Sequence, residues 1–187
     1  MTTEISALSK KSGKGLSNGV LSELTAFLTV KPGHAEELRA AVQRFGLAAH
    51  ELGGSARKSA GLRDLRFVIY DNDRRLLWAL AFETDWDPYI DDALEILGLE
   101  TFTDWMQHTA EYPDEAAGWG NAEIKTFLQS VQVRAEYYMD VLARKTLPEI
   151  QKAGRVEQAF QRVLDDPAAA PLLQHPAMKP LLDQAAD

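Results

Sequence analysis

The order of apolar patterns along this chain predicts an α+β fold of the βαββαβ type. Two strand-like apolar runs, Leu24–Val30 and Leu65–Ala81, are separated by a segment whose apolar residues recur at helical spacing. A second helical segment and a last alternating run, Val131–Tyr138, follow. This order is the ferredoxin-like arrangement, an antiparallel sheet with helices on one face. The domain is expected over residues 20–140. A flexible arm, rich in Ser, Lys and Gly, precedes it at 1–19, and a helical extension follows at 141–187.

Each element has a local cause. The first strand stops at Lys31-Pro32-Gly33, because proline cannot continue a hydrogen-bonded ladder and glycine permits a sharp turn. From His34 to Leu52, the residues Leu38, Ala41, Val42, Phe45, Ala49 and Leu52 form one apolar helical stripe, which Gly53-Gly54-Ser55 ends. Leu65–Tyr70 and Arg75–Phe82 form a hairpin across Asp71-Asn72-Asp73. Asp85 suits an N-cap for the helix carrying Trp86, Tyr89, Ile90, Ala93, Leu94 and Leu97. Helical pieces follow at about Glu100–Glu111 and Ala122–Gln129. The tail beyond Leu142 is helical but repeatedly broken by proline.

Composition narrows the function. Hydrophobic residues at 45% and charged residues at 26% are ordinary for a soluble globular chain. A net charge of −8 argues against a nucleic acid or an anionic membrane as partner. The absence of cysteine excludes disulfides, thiolate metal sites and thiol catalysis. Lys10, Lys11 and Lys14 have no apolar stretch behind them, and no window approaches the ~18 apolar residues of a membrane span, so the cytoplasm is the expected location. Gly15-Leu16-Ser17-Asn18-Gly19 matches G-x-S-x-G, but a nucleophile elbow needs a strand before it and a helix after it, and here a strand follows.

The central strands are apolar on both faces. Leu24, Ala26, Leu28 and Val30 alternate with Phe27 and two threonines, and Trp78, Leu80 and Phe82 alternate with Leu77, Ala79 and Ala81. The two helices cover one face only. Either the C-terminal helices or the sheet of a second chain must cover the other, and a homodimer does so with one surface. The strand–Lys31-Pro32-Gly33–helix start, the hairpin end Leu77–Trp86 and the closing strand Val131–Met139 resemble those of the dimeric α/β-barrel superfamily, in which two ferredoxin-like protomers pack sheet on sheet. More narrowly, Asp85–Asp92 and the stretch from Trp105 through His108 to Pro113 resemble bacterial ferredoxin-like proteins of unassigned function. The resemblance covers about residues 20–165. It implies a homodimer, and a fold shared by quinol-type monooxygenases, haem-handling enzymes and small-ligand binders.

The candidate site follows from the aromatic residues. Trp78 and Phe82 share one strand face, Trp86 opens the next helix, and Trp105 and His108 are three apart on the helix after it. Tyr137 falls on the alternation face of Val133 and Ala135 in the last strand. Together these six are expected to line a pocket between sheet and helices for a small apolar or aromatic molecule. The structural alternative is that the same rings fill a closed core. His108 is the candidate catalytic group, as proton acceptor of a cofactor-independent monooxygenase acting on an electron-rich aromatic; in a third reading it is the axial ligand of a haem. Neither a metal site nor another cofactor is expected. His34, at the helix start, is expected to be solvated, and His175 lies in the proline-broken tail.

Overall fold

A computed structural model of the chain describes residues 13–51, 61–114 and 118–185. It contains two compact units, Met1–Leu147 and Pro148–Asp187. In the first, the strands are β1 (Ser17–Asn18), β2 (Leu21–Thr29), β3 (Leu62–Tyr70), β4 (Arg75–Phe82) and β5 (Gln132–Val133). The helices are α1 (Ala35–Glu51), α2 (Trp86–Leu97), α3 (Leu99–Met106) and α4 (Asn121–Val131). The second unit continues α5 (Leu147–Leu164) into short helical turns and α6 (Ala170–Leu173) and α7 (Lys179–Ala185).

All pairings are antiparallel: β3 with β4, β4 with β2, and β2 with both β1 and β5. The order β5-β2-β4-β3 is that of the split βαβ unit, so the chain has a ferredoxin-like α+β fold. The β3–β4 turn follows its sequence closely. Asp71, Asn72 and Asp73 all have positive φ, between 51° and 65°, a region that Asn and Asp tolerate best among residues with side chains.

The core lies between the sheet and α1–α4. Alternation places Leu24, Ala26 and Leu28 of β2 and Leu76, Trp78, Leu80 and Phe82 of β4 on the helix side, and all are buried. Leu38, Ala41 and Phe45 of α1, Ile90 and Leu94 of α2, and Phe102, Trp105 and Met106 of α3 close over them. The opposite face is partly open: Phe27, Val68, Tyr70 and Val133 are between 37% and 45% exposed. Glu23, also on that side of β2, is buried; its carboxylate accepts from the Leu16 N–H (2.9 Å) and the Thr25 hydroxyl (2.7 Å).

Two expectations need correction. The arm does not extend to residue 19, since residues 16–18 pair along β2 and the hydroxyls of Ser17 and Ser22 meet at 3.0 Å, buried; residues 1–12 lie outside the described residues. The last strand is Gln132–Val133 rather than Val131–Tyr138. Its register, Ala26 with Gln132 and Thr25 with Val133, would carry it on toward Glu23 and Ser22, but that edge is occupied by Leu16 and Ser17. The chain therefore leaves β2 after Val133. Asp85 does occupy the N-cap of α2, but its side chain makes no capping bond; the carboxylates of Asp87 and Asp91 hold Lys125 of α4 at 2.9 and 3.0 Å. The helix stop at Gly53-Gly54-Ser55 lies outside the described residues.

Two glycines give opposite expectations. Gly19 has φ +59°, and a Cβ there would stand 2.2 Å from the Ala143 carbonyl oxygen. Gly19→Ala is expected to lower unfolding free energy by roughly 1–3 kcal/mol. Gly46 sits exposed within α1 with open space around it. Gly46→Ala should raise stability by about 0.5–1 kcal/mol. Urea unfolding of both variants measures the signs.

Candidate functional site

At the far end of β2 the chain builds a second, shorter pairing. Val30 bridges to Thr109, the Lys31 N–H donates to the His108 carbonyl (2.9 Å), and the Ala110 N–H donates to the Thr29 carbonyl (2.8 Å). The Glu111 carboxylate accepts from the Thr29 N–H. Gly33, at φ +81°, then turns the backbone into α1, and the His34 N–H donates to the Lys31 carbonyl. The start of α1 and the end of α3 are thus fastened to one sheet corner. This brings together two histidines 74 residues apart: Nδ1 of His34 and Nδ1 of His108 are 3.0 Å from each other.

A cleft of about 600 Å³ opens beside them, within the range usual for small-molecule sites. His34, Lys31, Tyr112 and Trp119 line it, with Leu99 and Thr103 of α3 and Gln107 just beyond that helix. Tyr112 is wedged edge-on between Trp119 and Phe127, with ring centres 5.2 and 5.4 Å away, so the cleft wall is aromatic and rigid. Trp119 also faces a second hollow of about 410 Å³ against α4.

The cleft also carries polar and charged groups, among them Lys31, His34, Glu100, Gln107 and Asp114. Lys31 is held by Asp114 at 2.8 Å, which keeps the Asp114 carboxyl below its usual range. Burial, and then the neighbouring His34, lower the His108 pKa, against the opposing pull of Asp104 and Glu37. The arrangement offers a ring surface, a cation and a nitrogen base within one concavity.

The expected site residues part company here. His108 does not line the cleft itself; it reaches it only through His34, whose Nδ1 it meets at 3.0 Å. Trp78, Phe82, Trp86 and Trp105 do not line it; each is at most 3% exposed. Trp78 packs against Phe67 and Trp105, and Phe82 stacks on Tyr89 with ring centres 4.3 Å apart. The rings occupy the sheet–helix space because three helices and an aromatic strand face converge on it. Their indole N–H groups have no hydrogen-bond partner among the described residues. Tyr137 is 77% exposed and lies on the other face of the sheet, over a hollow of about 490 Å³ with Tyr138, Glu23 and Arg66. It is there because the strand expected to bury it ends at Val133.

Sequence reasoning placed His34 in solvent, and it left Lys31 out of the site. The signal for both was present: the Lys31–His34 turn and the Trp105–Tyr112 stretch each close an element at the same sheet end. Among the described residues, no group of three or more metal-ligating side chains is brought together. Among them, too, no helix is long and apolar enough to cross a membrane.

No protein-family model matches the chain, and no curated protein does. Among solved structures it is similar to tetracenomycin F2 cyclase from Streptomyces glaucescens, described as a type-II polyketide cyclase. That similarity has 17% identity over 64% of this chain and 97% of that one, with a TM-score of 0.37. At this level the likeness carries nothing about activity.

Proposed function

We propose that this protein binds a small apolar or aromatic molecule in the cleft beside His34 and His108, and does so as a homodimer. The carrying observation is that Trp119 and Tyr112 form an aromatic wall next to a paired imidazole and Lys31. The site expected between sheet and helices is filled by rings; the cleft lies at the sheet's end, where the two histidines meet. An aromatic wall favours a flat ring, and the polar groups orient it.

The probe 4-nitroanisole tests the binding. It is expected to quench tryptophan fluorescence, and Trp119→Ala should weaken its binding about tenfold, the scale of one lost ring contact. Quenching unchanged in Trp119→Ala but lost in Trp105→Phe would return the site to the core. A Soret band on haem titration, absent in His108→Ala, would assign His108 to a haem instead.

The homodimer is supported by the open sheet face, where Phe27, Val68, Tyr70 and Val133 present apolar surface. Two such faces together bury it with one isologous contact. Light scattering should give twice the chain mass at micromolar concentration. Val68→Asp should give the monomer mass with unchanged far-UV circular dichroism. A native monomer would refute the pairing.

A second reading is cofactor-independent chemistry on an electron-rich aromatic, with His108 as proton acceptor. The His34–His108 contact favours it, because it supplies a positioned base. Oxygen uptake with a hydroquinone, lost in His108→Ala, is its test.

A further inference from the structure

The two imidazoles of the cleft meet end to end. Their Nδ1 atoms are 3.0 Å apart and their ring centres 5.3 Å. The difference is close to two ring radii, so both nitrogens lie near the line joining the centres. That is the geometry of one straight N–H···N hydrogen bond holding a single proton.

We infer that His34 and His108 work as one proton relay, and that the ligand of the cleft is a weak oxygen acid, a phenol or an enol, held as its anion. This rests on the proposed binding of a small aromatic molecule there. In the resting pair, His34 donates its Nδ1 proton to Nδ1 of His108, which leaves Nε2 of His34 bare. His34 lines the cleft; His108 stands behind it. The ligand O–H gives its proton to Nε2 of His34, and the Nδ1 proton passes to Nδ1 of His108. The hydrogen bond then runs the other way. One O–H bond is broken and one N–H bond formed; the ligand carries one negative charge and His108 one positive charge. No other reactant enters.

The surroundings fit both charges. Asp104 of α3 and Glu37 of α1 favour a positive His108, while Arg44, bound to Asp104 through hydrogen bonds of 2.8 and 2.9 Å, opposes it. Lys31, from the β2–α1 turn, stands at the cleft with Asp114 as its partner and offers a cation to the oxyanion. Glu100 of α3 lies on the rim, and Glu111 is held by the Thr29 N–H. Burial, and then the neighbouring His34, disfavour the charged form of His108.

Nitrogen-15 NMR of the full chain reads the pair without a ligand. Both rings are expected to respond together in one macroscopic step, with a second proton entering only at lower pH. In His108→Gln, which keeps a hydrogen-bonding side chain but cannot take up a proton, the coupled step should disappear. Rings that titrate independently in the native chain overturn the relay. The ligand class is read with 4-nitrophenol, whose anion is yellow, against 4-nitroanisole, which has no acidic proton. Below the probe's own ionisation pH, binding is expected to raise its anion-to-phenol ratio at least tenfold. His108→Gln should lower the affinity ratio of 4-nitrophenol over 4-nitroanisole about tenfold. If 4-nitrophenol binds and stays colourless, the relay falls and the binding proposal stands. If neither probe binds, the binding proposal falls and takes the ligand class with it.

Discussion

Trp105→Ala is expected to lower the free energy of unfolding by about 3–5 kcal/mol. The side chain is fully buried and meets the rings of Phe67 and Trp78 at 5.3 and 5.4 Å. Removing it deletes a large apolar surface and leaves a cavity that a sheet–helix interface cannot collapse to fill. Trp105→Phe is the informative companion. It keeps a ring in place and removes an indole N–H that has no partner among the described residues. Its cost should be less than half that of the alanine, since an orphaned donor disappears with the lost area. Urea unfolding of both variants separates core from pocket wall. A loss under ~1 kcal/mol in Trp105→Ala, with altered probe binding, would mean the ring faces a cavity.

Arg63→Met is expected to cost about 3 kcal/mol, for an electrostatic reason. Arg63 Nη1 stands 2.6 Å from Glu83 Oε1, and the two side chains are only 9% and 11% exposed. The same guanidinium donates to the Lys145 carbonyl (2.9 Å), and the Glu83 carboxylate accepts from the Leu147 N–H. The pair therefore fastens the 145–147 segment over one end of the sheet. Losing Arg63 leaves a largely buried carboxylate with one backbone donor. The double variant Arg63→Met/Glu83→Leu removes both charges and should be less destabilised than Arg63→Met alone. Thermal unfolding of the two single variants and the double reports the coupling. Strict additivity would show that the charges are solvated and the contact carries no energy.

The strands and helices were legible wherever a period was enforced by burial. Leu76, Trp78, Leu80 and Phe82 alternate because one face meets the helices, and Leu38, Ala41 and Phe45 recur because one stripe of α1 meets the sheet. The last strand misled for a physical reason. The alternation of Val131–Tyr138 is a local property, whereas strand formation needs a free edge, and Leu16 and Ser17 had taken it. Tyr137 was misplaced by the same step. The cleft was half legible: His108 stood out against its aromatic neighbours, but His34 is 74 residues away, and only the shared sheet end, not a local pattern, marks it as its partner. The Arg63–Glu83 pair was invisible likewise, since an arginine beside a strand reads as solvated until the covering segment is seen.

The central claim is that small aromatic molecules bind at the His34–His108 corner and not within the sheet–helix core. Two-dimensional NMR of the isotope-labelled full chain, titrated with 4-nitroanisole, tests it most directly. The account predicts the largest shift changes at the amides of Lys31, His34, Thr103 and Gln107 and at the Trp119 indole N–H, with the Trp78, Trp86 and Trp105 indoles unmoved. Largest changes at those three buried indoles, or at Phe27, Val68 and Tyr70 on the open sheet face, would contradict it.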